Sequence, residues 1–318
     1  MMTKGSLIAV DWGSTHLRVK LIIEGRVAES RSSDQGIKRL KSKGFDSVLF
    51  SLCGDWKKQH PDFPIWMSGM IGSREGWKEV PYCPTPVCLK DLVAALSVVE
   101  TESLGEVFIV PGLRHDFDDD ATDVMRGEEV EVFGLLAGLD NEKLEGSPLT
   151  ICGPGTHSKW VNVEGGQIVS FRTWFTGEAF EKLTQDSLIS GGSLVDRDQV
   201  NRGGFTRGLE SSGRSGGLLH HLFLGRTDML TQRVEAAHLP ALISGLLIGH
   251  EIREARKFAQ GEVYLMGNNR SAELYTQAFD YFDMPHTRCH EDVHMAGMLA
   301  LLNSGLNNSK HSFQTASK

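Results

Sequence analysis

The chain has 318 residues, 40% of them hydrophobic and 23% charged, with 33 basic residues against 41 acidic ones and a net charge of −8. This is the balance of a globular protein long enough for two domains, and it argues against a general binder of nucleic acid or of an anionic membrane, which needs a basic footprint. The five cysteines, at 53, 83, 88, 152 and 289, form no C-x-x-C pair and no dense even spacing, so reduced thiols are expected. No signal peptide and no apolar run of about 18 residues is present, so the expected location is the cytoplasm.

Residues 7–11, 17–23 and 26–30 read as three strands, with Asp11-Trp12-Gly13-Ser14-Thr15 at the first turn and Glu24-Gly25 at the second. Residues 45–58 carry helical spacing through Phe45, Val48, Leu49 and Leu52. Residues 63–77 are a buried strand running into a Gly-rich loop with Arg74 and Trp77, and 89–100 a short helix or turn region. Residues 106–113 are another buried strand. Residues 127–139 are helical, with Glu128 and Glu129 in the first turn, where the helix dipole favours acids.

The pattern restarts at 149. "LTICGPGTHSKWVNVEGGQIVSFRTW" (149–174) is strand, glycine turn, strand, acidic glycine turn, strand. Helices are expected at 178–189, 217–224, 227–236, 240–258, 271–282 and 291–303, and a strand leading into a glycine loop at 262–269. The stretch 188–204 is Gly-rich and charged and is expected to be a mobile loop, and the polar tail from Asn307 is expected to fray. The two halves begin alike: Gly13 precedes Ser14, Gly155 precedes Thr156, and Gly25 and Gly165 mark the second turns.

A phosphate chain needs closely approaching backbone donors, which favours glycine, and hydroxyls add more. A carboxylate beside such a turn can hold Mg²⁺ through its waters. Asp11, Gly13, Ser14 and Thr15 offer that set; Gly155, Thr156, His157, Ser158 and Lys159 offer a second cradle without a carboxylate. Neither Gly-x4-Gly-Lys-Ser/Thr nor Gly-x-Gly-x-x-Gly after the first strand occurs.

The twofold layout resembles the sugar kinase/heat-shock ATPase/actin superfamily. Within it, "MSGMIGSREGW", "PYCPTP", "DVMRGEEVEVFG", "PGTHSKWV", "FRTWFTGE", "SGLLIGHEI" and "VYLMGN" follow the order found in the 2-dehydro-3-deoxygalactonokinase family, over about residues 7 to 300. Ser14-Thr15-His16 stands where that family more often has Thr-Ser-Ser. The resemblance implies an α/β fold of two related ribonuclease H-like domains, with mixed sheets flanked by helices and an interdomain cleft. Domain one, 1–146, would carry the first phosphate turn and the sugar-acid site. Domain two, 147–318, would carry the second turn and the adenosine site, with the last helix able to pack back on domain one.

The implied reaction is ATP-dependent phosphorylation of the 6-hydroxyl of 2-dehydro-3-deoxy-D-galactonate, with Mg²⁺. ATP would meet Asp11, Gly13, Ser14, Thr15, Gly155, Thr156, His157, Ser158, Lys159 and Gly267, and Asp11 would hold the metal. The base is sought among Glu128, Glu129 and Asp123, in that order, the glutamates serving otherwise as helix N-terminal charges. Arg74 and Arg126 could fork onto the substrate carboxylate; Trp77 could wall the site, and Thr176 and Glu178 could meet sugar hydroxyls.

Two motifs are set aside. "HEDVH" (290–294) matches the two-histidine helix of zinc proteases, but Ala300 stands where the longer signature needs a third histidine. "DDDATDVMRGEE" (118–129) resembles a calcium loop, but Asp123 occupies the position that requires glycine. The rival functions are a superfamily phosphatase acting on polyphosphate or guanosine pentaphosphate, and a non-enzymatic actin-like ATPase. The partners expected are a small sugar acid and ATP, with the oligomeric state left open to a dimer.

Overall fold

The computed structural model describes residues 5–40, 44–185, 187–190, 201–267, 270–289 and 292–314. The chain divides into two compact units: Met1–Gly146 with Glu164–Ser170 and Glu291–Lys318, and Ser147–Val163 with Phe171–His290.

In chain order the first unit holds β1 (Leu7–Trp12), β2 (Leu17–Ile23), β3 (Arg26–Ser33), α1 (Ile37–Leu40), α2 (Phe45–Gln59), β4 (Ile65–Ser68), β5 (Cys83–Pro84), α3 (Leu89–Ala94), β6 (Ser97–Thr101), β7 (Gly105–Ile109), β8 (Leu113–Asp116), β9 (Thr122–Met125), α4 (Glu128–Ala137) and α5 (Asn141–Glu145). Its main sheet runs β3-β2-β1-β4-β7-β6. β1 is antiparallel to β2 and parallel to β4, which is parallel to β7. β1 is buried along its length except at Asp11, as a central strand covered on both faces should be. β3 is mostly exposed and polar, which suits an edge. The apolar face of α2, through Phe45, Leu49, Cys53 and Trp56, packs on this sheet beside Trp12.

The second unit holds β10 (Leu149–Gly153), β11 (Ser158–Glu164) up to Val163, β12 (Gln167–Trp174) from Phe171, α6 (Thr176–Gln185), α7 (Arg202–Ser211), α8 (Gly217–Leu230), α9 (Leu239–Phe258), β13 (Glu262–Met266), α10 (Arg270–Tyr281) and β14 (His286–Cys289). Its sheet order is β12-β11-β10-β13-β14, with β10 antiparallel to β11 and parallel to β13. An antiparallel meander followed by a parallel strand beside its first member thus occurs twice. Both sheets are mixed and flanked by helices, a repeated α/β architecture.

The last helix, α11 (Val293–Gln314), belongs to the first unit and packs on α4. The two helices cross at glycines. A Cβ on Gly134 would lie 1.7 Å from the Val293 carbonyl, and one on Gly297 would lie 1.9 Å from the Val130 carbonyl. Only glycine permits that approach.

Several elements differ from those read in the sequence. The stretch 89–100 is α3 followed by β6, and β5, β8 and β9 form a small sheet that sequence pattern did not announce. β5 is only two residues long, and β8 and β9, four residues each, carry charged and exposed positions, so none has an apolar period to read. The helices expected at 217–224 and 227–236 are one helix ending at Leu230; Gly225 lies inside it, against Leu242. α7 occupies the end of the expected loop 188–204, because its glycines are contact points: a Cβ on Gly208 would meet the Leu242 carbonyl of α9 at 2.3 Å. Residues 191–200 of that loop, the end of the 262–269 segment at Asn268 and Asn269, and His290 and Glu291 of the zinc-like motif lie outside the described residues. α11 continues beyond 303, through the part of the tail expected to fray as far as Gln314.

Candidate active site

β1 ends on Asp11 and Trp12. Asp11 stands opposite Arg18 of β2 and beside Ser68 of β4. It is half-buried, and Arg18 Nη1 donates to its Oδ2 at 3.0 Å. The following turn is closed by the Gly13 amide donating to the His16 carbonyl at 2.9 Å. The amides of Gly36, Ile37 and Lys38 donate to the carbonyls of Thr15, Gly13 and Ser14 at 3.1–3.2 Å, clamping the turn from behind. Gly13 was expected to offer its amide to phosphate; that amide is used within the turn, and Gly13 shapes the loop instead. Among the described residues no partner takes the amides of Ser14 and Thr15, and Thr15 is exposed.

Beside this turn, within the first unit, lies a cavity of about 170 Å³ lined by Asp11, Arg18, Lys20, Glu131, Asp292 and His294, with Ala9 at its base. Lys20 donates to Asp292, and His294 Nε2 shares a hydrogen bond of 2.8 Å with Ser68 Oγ. Asp292 also caps α11, accepting from the Met295 amide at 3.2 Å. Burial, then the Glu128 and Asp11 charges, lift Glu131 to about 7. Burial pushes His294 down. Glu131 and His294 were not among the residues expected from sequence. Glu131 lies one turn beyond Glu128 on α4, so the helical period could have nominated it; His294 was visible only inside the discarded zinc motif.

α4 begins at the proposed acids. Glu128 is half-buried and its Oε2 accepts from the Arg126 amide at 3.1 Å. Glu129 is fully buried; Oε2 accepts from the Gly127 amide at 2.6 Å, and Oε1 has no partner. Burial, then the Glu128 charge, lift its carboxyl to about 8. Asp123 lies on β9 opposite His115, in the small sheet, and its Oδ1 accepts from the Val124 amide at 2.7 Å.

Of the substrate candidates in this unit, Arg126 is buried, donates from Nη2 to the Val80 carbonyl at 2.7 Å and stacks 4.2 Å over Tyr82. Its Nε and Nη1 have no partner. Arg74 is exposed on the loop after β4. Trp77 was expected to wall the sugar site; its ring is instead spent on packing, stacked on Phe45 at 6.0 Å and edge-on to Trp12 at 6.5 Å.

In the second unit the turn after β10 exposes Gly155, Thr156 and His157. His157 Nε2 bonds Glu178 Oε2 at 2.7 Å, and the Glu178 amide donates to the Thr156 carbonyl at 2.9 Å. Two expected phosphate ligands turn inward. Lys159 is 3% exposed, with Nζ on the His157 carbonyl at 3.2 Å, and Ser158 is 1% exposed, with Oγ 2.8 Å from the Tyr275 hydroxyl. β11 is buried on both faces, so strand alternation could not show this. Thr176 and Glu178 were expected at the sugar; Thr176 donates to buried Glu251 and Glu178 is tied to His157, so both brace this turn.

Next to the turn, and within the second unit, is a cavity of about 210 Å³. Gly155 and Thr176 form one side; Phe180, Phe205 and Ile248 supply apolar walls; Ser244 and Arg270 add polar groups. An apolar slot with few polar groups, opening beside exposed glycine amides, suits a flat heteroaromatic base joined to a phosphate chain. Gly267 follows β13 at φ +103 and is not among the lining residues; Arg270, a few residues on, is. Among the described residues no three His, Cys, Asp or Glu side chains come together to hold a metal. Asp11 faces a polar cavity that Glu131 and Asp292 also line, which suits a cation bound through its waters and no tighter cage. No described helix is long and apolar enough to cross a membrane.

A family model for 2-keto-3-deoxy-galactonokinase matches residues 11–301. The chain is 36% identical over 275 residues to the 2-dehydro-3-deoxygalactonokinase of Escherichia coli (strain K12), covering 86% of this chain and 88% of that one. It is 33% identical over 287 residues to a Rhizobium meliloti (strain 1021) protein provisionally given the same name, covering 88% and 90%. The crystal structure of a candidate 2-dehydro-3-deoxygalactonokinase from Sinorhizobium meliloti superposes with a TM-score of 0.80 at 28% identity, covering 94% of this chain and 97% of that one.

Proposed function

Because the chain belongs to the 2-keto-3-deoxy-galactonokinase family and is therefore a sugar kinase, we propose that it transfers the γ-phosphoryl group of ATP to the 6-hydroxyl of 2-dehydro-3-deoxy-D-galactonate. The product would be the 6-phosphate cleaved by an aldolase in galactonate breakdown, in the cytoplasm. The observation that carries this reading is the family match, which begins at Asp11 and runs through both phosphate turns to the last helix.

Phosphoryl transfer asks a protein for position and charge neutralisation more than for covalent chemistry. The cavity of the second unit would take adenosine, and the amides around Gly155 and Thr156 and those of Ser14 and Thr15 would meet the phosphates. Mg²⁺, held by Asp11 through water, would neutralise phosphate charge. Glu128 is the proposed base: it is half-buried, whereas Glu129 is sealed, with its neutral form favoured near pH 7. The two unpartnered donors of Arg126 suit a carboxylate, with Arg74 on the neighbouring loop as a second cation.

A coupled ADP-release assay over a small panel of keto-deoxy sugar acids tests the reading. ADP release that requires 2-dehydro-3-deoxy-D-galactonate and exceeds that with its gluco epimer is expected. Phosphate release without an acceptor, and no response to the sugar acid, would overturn it in favour of a phosphatase.

A further inference from the structure

The second unit contains a buried carboxylate that neither the phosphate turns nor the substrate residues account for. Glu251, on α9, is 2% exposed and does not line the adjoining cavity. Trp160 Nε1 of β11 donates to its Oε1 at 2.8 Å. The Tyr275 hydroxyl of α10 donates to Oε2 at 2.6 Å, and the Thr176 hydroxyl at the start of α6 donates to the same oxygen. One acceptor thus joins four elements, two of which present Thr176 and Tyr275 to the cavity.

The order of protons follows from the donor inventory. An indole N–H only donates, so Oε1 is the acceptor of that bond. Tyr275 has one hydroxyl proton and gives it to Oε2, so its 2.8 Å bond to Ser158 is made by the serine proton. The chain reads Ser158 to Tyr275 to Glu251, every member donating toward the carboxylate. Burial pushes the Glu251 carboxyl above the ordinary carboxylate range, and the bonds from Thr176, Tyr275 and Trp160 offset this only in part. Ser158 is therefore anchored from behind, and the turn it ends presents backbone amides rather than this hydroxyl to a ligand.

We propose that Glu251 is a positioning residue for nucleotide: an acceptor-only hub that fixes the end of the second phosphate turn through Tyr275 and Ser158, and the cavity wall through Thr176 and Tyr275. It rests on the reading of this cavity as the nucleotide site. Such a role differs from generic core packing, because an isosteric amide fills the same volume yet cannot accept all three bonds. In Glu251→Gln the NH₂ group must face either the indole N–H or the two hydroxyls. The second arrangement reverses Tyr275 and Ser158.

The test is titration calorimetry of MgADP into full-length wild type, Glu251→Gln and Tyr275→Phe, with steady-state constants for both substrates. Losing one of the three hydrogen bonds at this buried carboxyl is expected to weaken MgADP by about tenfold in Glu251→Gln. Tyr275→Phe removes the link to Ser158 together with one bond to Oε2 but leaves Trp160 and Thr176 on the carboxyl, so a smaller loss of about threefold is expected. The KM for ATP should rise in proportion and the KM for the sugar acid should stay within about twofold. Folded variants that bind MgADP as tightly as wild type would overturn the proposal, even with a lowered melting temperature. Should Glu251→Gln fail to fold, Tyr275→Phe and Thr176→Val decide by the same criterion. A wild-type protein that turns over the sugar acid but whose MgADP affinity responds to none of these variants refutes the hub alone. A wild type that binds no MgADP refutes the nucleotide reading beneath it as well.

Discussion

Replacing Glu129 by glutamine should change how the stability of the protein depends on pH. The carboxyl is fully buried, one oxygen has no partner, and its value in the fold is about 8 against an ordinary 4.5. A carboxyl raised on folding binds more protons in the native than in the unfolded state, so its contribution is fully present below about 4.5 and is lost as pH rises through about 8. The gap of about 3.5 pH units, at about 1.36 kcal/mol each, amounts to roughly 5 kcal/mol. Glutamine keeps the shape, cannot ionise, and lacks this loss. Glu131, raised to about 7, falls away over an overlapping window but is common to both proteins. Urea unfolding of wild type and Glu129→Gln at pH 5, 7 and 9 measures the difference. The variant should gain on wild type by several kcal/mol from pH 5 to 9, most of it below pH 8. A gain under about 1 kcal/mol would show that Glu129 ionises in the fold at little cost, which refutes the sealed-carboxyl account and returns it to contention as the base.

Asp11→Asn should lower kcat by about a hundredfold or more while leaving the melting temperature near that of wild type, since the side chain is half-buried and loses only its bond to Arg18; near-normal kcat would remove it from the metal role. Glu128→Gln should cost about a hundredfold or more in kcat, and Glu129→Gln far less, in the same ADP-release assay; the reverse order would exchange their roles. Gly297→Ala places a methyl 1.9 Å from the Val130 carbonyl and must push α11 off α4, so unfolding should become easier by about 1–3 kcal/mol. Because Glu131 and His294 reach one cavity from those two helices, kcat should fall with it; calorimetry showing an unchanged melting temperature would contradict the tight crossing.

The two glycine-hydroxyl turns were legible because their chemistry is local. Asp11-Trp12-Gly13-Ser14-Thr15 and Gly153-Pro154-Gly155-Thr156 put glycines and hydroxyls at the ends of apolar strands, and strands, turns and acids at a helix start all leave marks within a few residues. The duplicated meander was legible for the same reason. What each side chain does there was less so. Gly13 and Ser158 match the pattern of a phosphate cradle, yet the amide of one closes its own turn and the hydroxyl of the other donates inward to Tyr275, 117 residues away.

By itself, the sequence determined two α/β units, two glycine-hydroxyl turns, an acidic helix start after Gly127 and the family. These depend on residue type and on periods of two or 3.6, which are properties of neighbouring residues. Tertiary structure alone decided that Glu129 is sealed, that Glu131 shares a cavity with Asp11 and His294, and that Glu251 gathers Trp160, Thr176 and Tyr275. Burial and hydrogen-bond partnership set these ionisation states, and both arise only when segments distant in the chain pack together.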